Sequence, residues 1–139
     1  MNDKAKKGKK VQKKILEAKN NIFKWLNRNQ EDIIKISYKI WEYAELGMQE
    51  NKSSRILHKW LLQEGFSIKT GISSMPTAFL AEFSLGSGTP VIAFMAEYDA
   101  LPGNSNKVLP RHEPIVEGGP GHGCGHNLIG TIGAAAAIG

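Results

Sequence analysis

The residues best suited to chemistry sit close together near the end of the chain, in Gly121-His122-Gly123-Cys124-Gly125-His126-Asn127. This run holds the only cysteine and two of the four histidines, interleaved with glycine. In an extended segment, side chains at i, i+2 and i+4 project to one side, so His122, Cys124 and His126 can face one point. A thiolate and an imidazole at that spacing are good ligands for zinc or another borderline-soft divalent metal. The glycines let the backbone kink and approach an ion closely. Asn127 stands where it can cap a helix spanning Leu128 to Ile138, and the positive end of that helix would help hold a thiolate ionised. The competing reading is a small buried cysteine in an ordinary glycine-rich turn before a helix. These residues alone leave both open. Nucleotide motifs are absent, however. Gly125 to Gly130 has the spacing of a phosphate loop but puts Thr131 where the lysine must be, and no dinucleotide fingerprint fits the glycines.

A second candidate lies upstream. Val91-Ile92-Ala93-Phe94-Met95-Ala96 is a continuous apolar run, as expected of a strand covered on both faces, and it ends abruptly in Glu97-Tyr98-Asp99. Sites in α/β sheets lie beyond strand C-termini. Glu97 and Asp99, two residues apart, can project to one side. The plainer alternative is that they mark where the strand emerges into water. Residues 103–120, with Pro110, Pro114, Gly118, Gly119 and Pro120, read as an irregular loop, and loops of that length are often functional.

These residues must be positioned by the elements before them. Ile15, Ala18, Ile22 and Leu26 recur at helical spacing in an otherwise polar segment. Asn29 is a candidate cap for a helix over about 30–44, whose apolar stripe is Ile33, Ile36, Ile40, Trp41 and Ala44. A further helix runs from about Asn51 to Glu64, turning Ile56, Leu57, Trp60 and Leu61 inward and stopping at Gly65. His58 on this helix reads as a surface residue. After Gly65 the period changes: Phe66 to Thr70 and Thr77 to Ser84 read as strands, and Gly86-Ser87-Gly88-Thr89-Pro90 offers a hairpin closure.

Composition sets the outer bounds. The 139 residues suffice for one modest domain. No apolar run approaches a membrane span, no signal peptide is visible, and a single cysteine excludes an internal disulfide framework and suits a reducing, cytoplasmic setting. Residues 1–14 carry seven lysines against Asp3, a net +6, so with +5 overall the remainder is −1. This lysine run lacks aromatics, arginine and an apolar face. It reads as a solvated, frayed tail rather than a nucleic-acid or membrane site. The chain thus divides into a basic tail with an uncertain leading helix over 1–28 and a domain over 29–139.

Three motifs then occur in order: Glu45-Leu46-Gly47-Met48-Gln49-Glu50, Ala96-Glu97-Tyr98-Asp99-Ala100-Leu101-Pro102, and the His-Cys-His run ending at Leu128. Together they resemble the opening of the metallo-amidohydrolases that include aminoacylases and hippurate hydrolase. With Met75-Pro76-Thr77-Ala78-Phe79, they are most similar to the aminobenzoyl-glutamate utilisation branch of that family. The resemblance covers roughly residues 30–139. It implies part of an αβα zinc-peptidase-like catalytic domain, with helices on a mixed sheet and the smaller dimerisation domain lying elsewhere. It also implies a divalent metal, zinc or manganese, with Cys124 and His126 as ligands and Asp99 orienting the site. His122 matches a histidine that is not usually a ligand, and Glu97 stands where other branches place a histidine or aspartate ligand. Asn127 replaces an aspartate common in the auxin-conjugate and hippurate branches. The implied reaction is hydrolysis of amides bearing a free carboxylate: N-acyl or aminobenzoyl amino acids, or dipeptides. Beyond His126 there is no Asp, Glu, His or Cys. The chain is therefore expected to be the first third of a longer, dimeric hydrolase and to be inactive alone, the alternative being a non-catalytic metal-binding module.

Overall fold

The computed structural model describes residues 3–139, with side chains from Lys7 onward. The first six residues of the basic tail thus lie outside the described side chains. The elements are α1 (Asp3–Tyr43), α2 (Asn51–Gln63), β1 (Ser67–Thr70), a 3-10 turn (Ile72–Ser74), β2 (Phe79–Glu82) and α3 (His126–Ile138). Two compact units are present, one reaching to Asp32 and one comprising Ile33–Ile138. Among the described residues, no helix is long and apolar enough to cross a membrane.

α1 corrects two expectations. The basic stretch is helical from Asp3 and not frayed, and Asn29 does not cap a second helix. Its Nδ2 donates to the Trp25 carbonyl at 2.8 Å, one turn back within the same helix. The physical reason lies in propensity: Lys, Ala, Gln, Glu and Leu are strong helix formers, and no proline interrupts 3–43. A lone asparagine in such a run cannot break it.

The core of the second unit comes from the stripes read in the sequence. Ile36 and Ile40 of α1 are buried with Leu57, Trp60 and Leu61 of α2, and Ala134 and Ala135 of α3 join them. Burying a side chain such as Ile40 or Leu57 completely stabilises the fold by about 1.5–3 kcal/mol. α2 packs against α3 and β1. It stops where expected: Gly65 adopts φ +87°, its amide bonds the Leu62 carbonyl, and the Phe66 amide bonds that of Leu61. This paired closure needs a left-handed residue at the position after the cap.

The sheet departs from expectation. β1 and β2 pair antiparallel, Ser67 opposite Glu82 and Thr70 opposite Phe79. The hairpin is therefore closed by 71–78, not by Gly86–Pro90. The apolar run 91–96 forms no strand, and no backbone–backbone hydrogen bond among the described residues reaches 91–99. A strand is defined by its ladder, and an apolar pattern without a partner does not make one. The run is also not buried: Val91 is 88% and Met95 92% exposed.

Candidate metal centre

Although 97–99 lacks a ladder, it is held from several sides. The Ala100 amide donates to the Glu45 carbonyl at 2.7 Å, within a parallel bridge between Leu46 and Ala100. On another side α3 approaches closely through its glycines. A Cβ on Gly130 would lie 2.8 Å from Tyr98 Cβ, and one on Gly133 would lie 2.5 Å from Ala96 Cβ. The glycines of an otherwise alanine-rich helix are thus required where 96–98 passes over it.

His126, the first residue of α3, is 9% exposed and lies between the two acids. Its Nδ1 is 2.8 Å from Asp99 Oδ1 and its Nε2 is 3.2 Å from Glu97 Oε1. Ligand atoms of Glu97, Asp99 and His126 all fall within 4.8 Å of one another. Tyr98 points elsewhere, its hydroxyl donating to the Thr77 carbonyl.

The arrangement carries a chemical demand. A neutral imidazole has one N–H and can satisfy one carboxylate. With Nδ1–H given to Asp99, Nε2 turns a lone pair toward the Glu97 carboxylate. Only positive charge between those two groups, a second proton or a cation, makes the contact favourable. Two carboxylates and an imidazole are a donor set for a divalent metal, and a carboxylate on the far nitrogen is the usual way of orienting a histidine ligand. The residues present therefore fit such an ion.

The other sequence candidates are distributed around this group. Cys124 is a free, exposed thiol and does not belong to the three-residue group. His122 is half-buried. Its Nε2 donates to the Ile40 carbonyl at 3.0 Å, its Nδ1 is buried without a partner, and burial holds its pKa below the ordinary 6.5. Asn127 is not a cap, which corrects that expectation. It is buried inside α3, with Nδ2 donating to Ser37 Oγ at 3.1 Å. A partner ninety positions away outcompetes the local backbone. His58 is also not a free surface group: its ring meets Phe79 edge-on at 4.4 Å, and Nε2 is buried without a partner.

Sequence reasoning gives no role to Glu45, Glu50, Thr77 and Tyr98. Glu45 accepts from the amides of Lys52 and Ser53 and from Ser53 Oγ, while Glu50 is buried and accepts from Thr77 Oγ1. Acidic residues flanking a helix start are the available signal. The loop after the acids is closed at its neck, Leu101 and Gly121 exchanging both backbone bonds at 2.9 and 3.0 Å. A Cβ on Gly121 would collide with the Asn104 main chain. Beside this neck, a cleft of about 970 Å³ is lined by Trp41, Tyr43, Val108, Ile115 and His122 among others.

No family model matches the chain. It is 41% identical over 104 residues to one of the two component chains of Escherichia coli p-aminobenzoyl-glutamate hydrolase, a match covering 74% of this chain and 21% of that protein. To the human Xaa-Arg dipeptidase it is 35% identical over 115 residues, covering 75% of this chain and 23% of the relative. The crystal structure of the Bacillus subtilis YXEP protein, described as a dinuclear metal binding peptidase from the M20 family, superposes with a TM-score of 0.62 at 28% identity. It covers 76% of this chain and 28% of that one. The chain thus spans about a fifth to a quarter of the length of these relatives, and its fold is part of the M20 catalytic domain. Motifs, fold and relatives agree that this chain belongs to the M20 family of metal-dependent amidohydrolases and peptidases.

Proposed function

We propose that this chain supplies part of the metal centre of an enzyme that hydrolyses amide bonds in small substrates bearing a free carboxylate: aminobenzoyl or N-acyl amino acids, or dipeptides. The observation that carries this reading is the imidazole of His126 held between two carboxylates. Asp99 accepts from Nδ1 and so fixes the tautomer that leaves Nε2 free to ligate. Nε2 and the Glu97 carboxylate would hold the ion, zinc or manganese, and the family resemblance adds Cys124, two residues before His126. When bound, such an ion polarises the amide carbonyl and acidifies water. Asp99 is committed to His126, which leaves it unsuited to act as the proton-accepting base. For that reason the 139 residues alone are proposed to turn over no amide. The intact protein is proposed to be dimeric and to work in the cytoplasm.

Cobalt titration of the 139-residue chain tests the metal reading. Visible absorption from bound cobalt is expected, with a thiolate charge-transfer band that disappears in Cys124→Ser. Affinity should fall at least tenfold in His126→Ala and about 10- to 100-fold in Asp99→Asn, where only the orienting partner is lost. No cobalt spectrum at saturating metal would refute the reading. Metal-dependent turnover of aminobenzoyl-glutamate by these residues alone would refute the proposed inactivity.

A further inference from the structure

The acids at 97 and 99 belong to a stretch that no sheet ladder holds, yet their carboxylates meet two nitrogens of one ring within 3.2 Å. Something must fix the rotation of the chain between them. Tyr98, the intervening residue, is the evident handle. Its hydroxyl donates to the Thr77 carbonyl at 2.5 Å, and its ring lies 6.0 Å from that of Phe79 at 34°. Thr77 is in turn pinned through its own hydroxyl, which donates to the Glu50 carboxylate. Both Thr77 and Glu50 are buried, at 6% and 8% exposure, and Glu50 immediately precedes α2.

We infer that Tyr98, anchored through Thr77 to Glu50, is a positioning residue that sets the rotation of 97–99 and so aims Glu97 and Asp99 at His126. The inference deepens the metal-centre reading and rests on it. Alternation supplies the mechanism. Since neighbouring side chains leave the backbone on opposite sides, pinning Tyr98 on one side fixes Glu97 and Asp99 on the other. A tyrosine suits the task better than a charged group, because its hydroxyl stays a neutral donor. Burial, and then the charge of Glu50, push its pKa well above the ordinary 10. The handle also reaches out of the site, linking the start of α2 to the metal-binding carboxylates through a single side chain and one carbonyl.

Tyr98→Phe keeps the ring against Phe79 and removes only the donor. In the 139-residue chain, cobalt affinity is expected to fall about tenfold, the size of effect seen when an outer-shell partner is removed. In the metal-free chain, the imidazole nitrogen resonances of His126 should shift as its contact with Asp99 loosens. Thr77→Val should reproduce both changes through the loss of the Glu50 tie, and Thr77→Ser should restore both, which a merely destabilised fold would not do. Wild-type affinity together with unshifted His126 resonances in Tyr98→Phe would overturn the inference, and so would a Thr77→Ser variant that behaves like Thr77→Val. Failure of the wild-type chain to bind cobalt would instead overturn the metal reading, and the His126 resonances would still decide the role of Tyr98.

Discussion

Glu45 shows how one side chain can replace a missing local signal. The residue at the N-cap of α2, Glu50, makes no side-chain capping bond. Instead, the Glu45 carboxylate accepts from the Lys52 amide at 2.9 and 3.0 Å and from the Ser53 amide and hydroxyl at 2.9 Å each. Free amides at a helix start are the groups that most need an acceptor, and a negative one is favoured there. Glu45→Ala is therefore expected to cost about 1–2 kcal/mol, as loss of a cap does, with partial recovery in Glu45→Gln. Urea denaturation checks this, and an unchanged midpoint would show that water replaces the carboxylate without loss. The residues of the site itself are largely legible in the sequence, because Glu97, Asp99 and His126 announce themselves by type and spacing. Asn127 and Asn29 mislead for a shared reason: asparagine at a helix boundary satisfies local amides, but each finds another partner, Ser37 and the Trp25 carbonyl. Sequence shows what a side chain can bond, and only the fold shows what reaches it.

Among the elements, α2 and β2 meet where His58 lies edge-on against Phe79. Burial lowers the His58 pKa from its ordinary 6.5, and the same is true of His122. The unfolded chain takes up these protons near pH 6.5, whereas the folded chain resists until lower pH. Stability is thus full above about pH 6.5 and falls as pH drops through that value toward the folded pKa. Urea midpoints measured between pH 7 and pH 5 should show this decline. His58→Phe keeps a ring against Phe79 and removes the proton, so its decline should be shallower, with the His122 share remaining. An identical slope in wild type and variant would exclude His58 as a source. The helices are legible because an apolar stripe at helical period needs only one neighbour to bury it. Run 91–96 is not, because a strand requires a paired edge as well as apolar side chains. Its composition states the demand but not whether it is met among these residues.

Taken whole, the chain puts opposite properties in different places. Its excess positive charge is confined to the first 14 residues, while Leu85, Val91 and Met95 are each 88% or more exposed. Contiguous apolar surface with unpaired backbone promotes association. Sedimentation velocity is expected to show concentration-dependent self-association of the 139-residue chain, reduced in the double variant Val91→Lys, Met95→Lys. A monomer at every concentration would show that this surface is tolerated in water. The closed neck at Leu101 and Gly121 has a different consequence. Beyond it, the segment up to Gly119 is tied mainly to itself, through Ser105 to Gly119 and Lys107 to Glu113, while Asp99 and His126 lie on the other side of the pair. Chain length and site geometry are thereby uncoupled. Closing a loop costs only about 0.6 kcal/mol more for each doubling of its length. Residues can be added or removed beyond the neck with little thermodynamic consequence for the acids and the histidine. Selection is free to rebuild the wall of the neighbouring cleft by insertion and deletion, changing what the cleft accepts while the chemistry at its edge stays fixed.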